Sequence, residues 1–169
     1  MKKLLFVVLI GMLLLISCKP DTTSGKVAVE TRIEPNTKTF IDLETTKICT
    51  ENGKPIIREF ATTWCPHCQW VKNTYAKVVN DYIKQGKIVA YQWEVDIRDN
   101  ALTNEKETAI PVEEMKIFKT YNPQQSIPTF LFGCRYLRTG NGYEAQGNLE
   151  AEEKEFRETI DELIALQNN

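Results

Sequence analysis

Trp64-Cys65-Pro66-His67-Cys68 sets two thiols one helical turn apart and places the chain's single histidine between them. That spacing suits a dithiol that exchanges disulfides. Pro66 fits the first position of a helix, where its missing N–H would have had no partner. Unpaired backbone N–H groups and the positive end of the helix dipole would then lie beneath Cys65 and stabilise its thiolate. A protonated His67 would add to this. Thiols in such places titrate at about 3.5–7.5, against about 8.5 for a free cysteine. Cys65 is therefore the expected nucleophile and Cys68 the thiol that resolves its mixed disulfide. Three other readings use the same residues. A zinc site would need two further ligands, and the chain has no second CxxC and no second histidine. A structural disulfide across a two-residue loop would constrain little of the unfolded chain. A soft ion such as Cu(I) could sit on Cys65 and Cys68 with His67 as third ligand, although Pro66 argues against an open metal site.

The elements that must position this motif can be read from periodicity. Pro55 to Ala61 is apolar and β-branched enough for a buried strand. After the cysteines, Val71, Tyr75, Val78, Val79, Tyr82 and Ile83 recur at spacings of three and four, and Gly86 marks the end of that helix. Lys87 to Asp96 reads as the next strand, so strand, helix and strand imply a right-handed crossover and a parallel pair. Thr39 to Cys49 has room for an edge strand, and Glu51 to Lys54 carries a turn signal. Ile97 to Ile110 is polar and reads as a loop or short irregular helix. Pro111 opens a helix through Tyr121, with Met115, Ile117 and Phe118 inward. Ser126 to Phe132 is an apolar strand headed by Pro128. Thr139-Gly140-Asn141-Gly142 predicts a hairpin turn, with an antiparallel return through Tyr143 to Gln146. Leu149, Phe156, Ile160, Leu163 and Ile164 line a closing helix. The alternation predicts an α/β domain, a mixed central sheet covered by helices on both faces.

Lys2 and Lys3 precede an apolar run from Leu4 to Ile16, shorter than the roughly 20 residues of a membrane span. Leu15-Ile16-Ser17-Cys18 resembles a prokaryotic lipobox, in which cleavage before the cysteine leaves Cys18 as the lipid carrier. An ordinary signal peptide or uncleaved anchor is the alternative. The organisation expected is a signal peptide at 1–17, a polar tether at 18–38 and one domain at 39–169. Assigning Cys18 to lipid leaves four of the five cysteines, enough for two pairs in a compartment where disulfides persist. The formal charge is −2, and no basic patch invites nucleic acid.

Together the residues resemble the thioredoxin superfamily over about Ile48 to Ala165: Glu59 through Cys68, then Ile127-Pro128-Thr129, then the terminal helix segment from Gly147 to Leu163. The resemblance implies the thioredoxin fold, a cis Pro128 packed against Cys65 and Cys68, and a backbone at Ile127 that pairs with extended substrate. Proline-histidine between the cysteines resembles the oxidising DsbA-type members. In that likeness Glu59 takes the place of a buried acid beneath the disulfide, able to relay a proton to or from Cys68; the alternative is an exposed charge or a partner for Arg58. The fold would also bring Cys49 and Cys134 to the far end of the sheet, where they could form a second disulfide. The insertion between Asp96 and Pro128 is too short for the helical domain of DsbA, so that protein's substrate groove does not carry over.

These readings imply an extracytoplasmic, lipid-anchored thiol–disulfide oxidoreductase with Trp64, Pro66, His67 and Glu59 tuning the pair. It would need no metal or organic cofactor. Its partners would be thiols or disulfides of exported proteins and a membrane redox protein that resets Cys65 and Cys68. The oxidase direction follows from His67; a tethered reductase for cytochrome maturation or disulfide repair is the alternative.

Overall fold

The structure, a computed structural model, describes residues 38–167. The apolar leader, Cys18 and the tether as far as Thr37 lie outside the described residues. In chain order the elements are β1 (Ile41–Asp42), β2 (Thr50–Glu51), β3 (Lys54–Ala61), α1 (Pro66–Lys84), β4 (Val89–Glu94) and β5 (Asp99–Asn100). They continue with α2 (Val112–Tyr121), β6 (Thr129–Phe132), β7 (Tyr136–Thr139), a 3₁₀ turn (Glu144–Gln146) and α3 (Leu149–Gln167). The sheet runs β1-β7-β6-β3-β4-β5, with β2 pairing β3. Only β3 and β4 pair in parallel among the described strands, and of the paired neighbours only they are joined directly through a helix. This is the thioredoxin fold.

Strand β3 is the axis of the domain, and its alternation sorts the chemistry between two faces. Ile57 joins Val71, Tyr75, Phe130, Phe156 and Ile160 in the core beneath α1 and α3. Phe60 instead packs with Trp93, Ile110 and Phe118 beneath α2. Arg58, on the face of Phe60, is buried, and its guanidinium forks onto Glu114 of α2 at 2.7 and 2.8 Å. Glu59 has the parity of Ile57 and lies fully buried under α1. Helices therefore cover both faces, as the sequence predicts.

The hairpin lies elsewhere than the sequence predicts. β6 turns into β7 at Gly133 to Arg135, not at Thr139 to Gly142, and Tyr143 to Gln146 holds a 3₁₀ turn rather than a strand. Gly133 and Cys134 both have left-handed backbone, φ +61° and +59°. Glycine favours this conformation, whereas cysteine gives no sequence signal for it. A Cβ on Gly133 would stand 2.5 Å from Leu163 Cδ1, so the turn also needs the missing side chain. Cys134 is bonded to Cys49, with Cα atoms 5.4 Å apart. Cys49 N–H donates to Gly133 O, and Gly133 N–H to Ile56 O, both at 2.8 Å.

Three smaller differences have local causes. The polar stretch after β4 contains β5, because buried Asn100 caps the turn by accepting from Gln92 N at 3.0 Å and Leu102 N at 3.2 Å. Ile83 and Leu149, expected on inner helix faces, are 38% and 41% exposed. Both lie near helix ends, where the apolar stripe runs past the sheet. In α2 only Phe118 is buried; Met115 and Ile117 are half-buried.

Candidate active site

Cys65 is the N-cap residue of α1, with φ −76° and ψ 119°, and Pro66 begins the helix. Extended backbone at the cap lets the Cys65 side chain fold back over the first turn. Its Sγ accepts from Cys68 N–H at 3.3 Å, as a capping oxygen would. Both thiols are free in this structure, and both are buried, Cys65 at 4% and Cys68 at 3% exposure. Accessibility does not separate them; electrostatics does. Burial pushes the Cys68 thiol up, and its hydrogen bond to Cys65 and the nearby charges of Cys65 and Glu59 push the same way. Cys68 is therefore the sulfur held back from ionising.

Glu59 sits below the pair. Burial pushes its carboxyl up to about 8, against the opposing effects of the Gln92 hydrogen bond and the charges of Lys72 and Arg138. Gln92 Nε2 donates to Glu59 Oε2 at 2.7 Å, while Glu59 Oε1 has no protein partner. Arg58 is occupied by Glu114 and plays no part here. A cavity of about 240 Å³ opens behind Cys68, with Thr62, Lys72, Gln92 and Glu94 among its walls. Lys72 and Glu94 pair across it at 2.5 Å. A carboxyl that holds a proton near neutral pH beside a thiol that must lose one is suited to pass that proton.

The front of the site is closed by the segment before β6. Ile127 packs against Cys65, Cys68 and Ala61, and the Ile127–Pro128 peptide is cis. Asn122 Nδ2 donates to Ser126 O at 2.7 Å and to Thr129 Oγ1 at 2.8 Å, anchoring this segment to the end of α2. Trp64 is 67% exposed on the rim. His67 is exposed as well, and its Nδ1 lies 2.8 Å from Glu144 Oε2.

The fold thus brings Glu59, Trp64, Cys65, Pro66, His67, Cys68, Ile127 and Pro128 to one end of the sheet and places Cys49 and Cys134 away from them, at the β6–β7 turn. Sequence reasoning missed Gln92, Asn122, Asn141 and Glu144. Gln92 had a signal, since it interrupts an apolar strand at an inward position alternating with Ala90. The other three follow helix or strand ends in polar segments and had none. Among the described residues no group of three or more His, Cys, Asp or Glu side chains could hold a metal ion.

This geometry defines a redox protein built on a dithiol at a helix start. The chain belongs to the thioredoxin superfamily: the profile of the thioredoxin-like domain matches residues 44–157, a stretch that contains every residue of the site. Among solved structures the chain is similar to the germline-specific thioredoxin Deadhead of Drosophila melanogaster, with 23% identity over 60% of this chain and 82% of that one and a TM-score of 0.36. No curated protein matches the chain. Family membership and the free Cys65–Cys68 pair point to thiol–disulfide redox activity.

Proposed function

We propose that this protein is an extracytoplasmic, membrane-tethered thiol–disulfide oxidoreductase that works mainly as an oxidant of exported proteins. The observation that carries the exchange chemistry is the Cys65 sulfur at the cap of α1, with Cys68 behind it and Glu59 below. In the oxidising direction a substrate thiolate attacks Cys65 of the Cys65–Cys68 disulfide. The Cys65–Cys68 bond breaks, and Cys68 leaves and takes up a proton through Glu59. A second substrate thiolate then attacks the substrate sulfur of the mixed disulfide, a substrate disulfide forms, and Cys65 departs as thiolate. Two electrons pass from substrate to protein. Ile127 and Pro128 would hold the substrate backbone while this happens.

The direction rests on His67. A positive imidazole near Cys65 stabilises the reduced protein and so makes the disulfide a stronger oxidant. The location rests on the lysines, apolar run and Cys18 of the leader; no described helix is long and apolar enough to cross a membrane. Equilibration with glutathione tests the direction. A potential near about −120 mV supports an oxidase, and one near about −270 mV a reductase. His67→Ala is expected to move the potential negative by on the order of 30 mV, one decade in the exchange constant. An unchanged potential would leave the exchange chemistry in place and remove the reason for choosing the oxidase.

A further inference from the structure

His67 is not a free imidazole at a helix tip. Its Nδ1 lies 2.8 Å from Glu144 Oε2. Asn141 Nδ2 donates to that same oxygen and to the His67 carbonyl, each at 2.8 Å. An ionised carboxylate only accepts, so the hydrogen in the first contact belongs to Nδ1, and in the neutral ring Nε2 is the bare nitrogen.

The segment that carries Asn141 and Glu144 is fixed on both sides. Gly140 N–H donates to Pro128 O at 2.8 Å, on the loop that closes the site. Tyr143 N–H donates to Glu152 Oε2 at 2.9 Å. Glu152 is buried and paired with Arg138, whose guanidinium lies 4.5–4.8 Å from the rings of Phe40, Phe130 and Phe156. Glu144 is therefore held by the core and does not swing on a loose loop. It faces a groove of about 460 Å³ whose lining includes Ile127, and His67 and Glu144 are the titratable side chains of that lining.

We propose that Glu144 is a positioning residue that counterbalances His67: it fixes the tautomer and orientation of the ring and offsets its positive charge as seen from Cys65. The couple is thereby held less oxidising than the Cys-Pro-His-Cys sequence would make it alone. This inference rests on the reading of Cys65 and Cys68 as an exchange pair. When two glutathione thiols reduce the Cys65–Cys68 disulfide, its S–S bond breaks and glutathione disulfide forms; Cys68 takes up one of the two thiol protons, the other passes to solvent, and Cys65 is released as a thiolate. Positive charge beside Cys65 favours that product, and a carboxylate bonded to the positive group removes much of the advantage. His67 is 63% exposed, so solvent screening keeps the effect to a few-fold.

The test uses the chain's single histidine as its own reporter. Nitrogen-15 spectra of the wild-type imidazole should show the Nδ1–H form once the ring is neutral, and Glu144→Ala should restore the Nε2–H form that free imidazole favours in water. Glu144→Gln keeps an acceptor for Nδ1–H and removes only the charge. At a pH where the spectra show His67 doubly protonated in both proteins, its glutathione equilibrium should shift about threefold toward reduced protein. In a His67→Ala background the same substitution should shift it by less than half as much. An unchanged tautomer in Glu144→Ala, an unmoved equilibrium in Glu144→Gln, or an undiminished shift without His67 would overturn the proposal while exchange remained intact. Failure of the wild-type protein to exchange with glutathione would overturn the reading of the cysteine pair and this proposal with it.

Discussion

Cys68→Ser should stop exchange after one step. Reduced Cys65 would still attack a substrate disulfide, releasing one substrate thiol and forming a mixed disulfide, but no second sulfur would stand behind it to complete the transfer. The wild-type resolving step is intramolecular, with the Cys68 backbone N–H already 3.3 Å from Cys65 Sγ. Well-oriented intramolecular reactions reach effective molarities of roughly 10⁵ M and above, against millimolar external thiol, so turnover should fall by more than about 10³-fold. Mass spectrometry of the variant after incubation with an oxidised peptide should find the adduct on Cys65. Turnover close to wild type would mean that Cys68 does not resolve the intermediate.

Glu59→Gln should change stability and rate in opposite directions. The folded carboxyl is pushed up to about 8 by burial, whereas in the unfolded chain it ionises near its ordinary value of 4.5. Between those pH values the folded protein holds a proton that the unfolded chain has lost, so this group's contribution to stability is complete below about 4.5. It falls as pH rises and is gone above about 8. The loss is on the order of 5 kcal/mol at about 1.4 kcal/mol per pH unit. A glutamine can accept the Gln92 N–H without titrating. Relative to wild type, Glu59→Gln should therefore gain stability from pH 5 to pH 9, read as a rising difference in urea midpoint. Comparing the two proteins cancels the groups that act in the other sense, such as Asp81 and Glu153, whose arginine and lysine partners hold them low. Exchange should slow by on the order of 10²-fold, because the proton of Cys68 loses its acceptor. A parallel pH dependence in both proteins would show that Glu59 is ionised throughout.

Much of this site was legible before any coordinates. Two thiols at helical spacing, a proline that starts a helix, an apolar strand before them and a second proline heading a later strand are local signals, and each reflects a backbone constraint that acts within a few residues. Glu59 could be assigned a buried place only through the family likeness, because its own strand carries Arg58 beside it and alternation alone cannot say which of two charges faces α1. The β6–β7 turn was misread for a different reason. Gly140-Asn141-Gly142 has the composition of a hairpin turn, whereas the true turn is held by a disulfide and by hydrogen bonds from Cys49 and to Ile56, all distant in sequence. The displaced segment then became free to carry Asn141 and Glu144 to His67, a contact across 77 positions that no spacing rule encodes.

The division of labour between the two sulfurs is the centre of this account, and competitive alkylation tests it most directly. Reduced protein is treated with limiting iodoacetamide at mildly acidic pH, and the modified cysteine is mapped by mass spectrometry, with the Cys49–Cys134 disulfide left intact. The account predicts modification at Cys65 alone, since burial and the hydrogen bond to Cys65 keep the Cys68 thiol protonated. Modification of Cys68 first, or of both at equal rates, would contradict it.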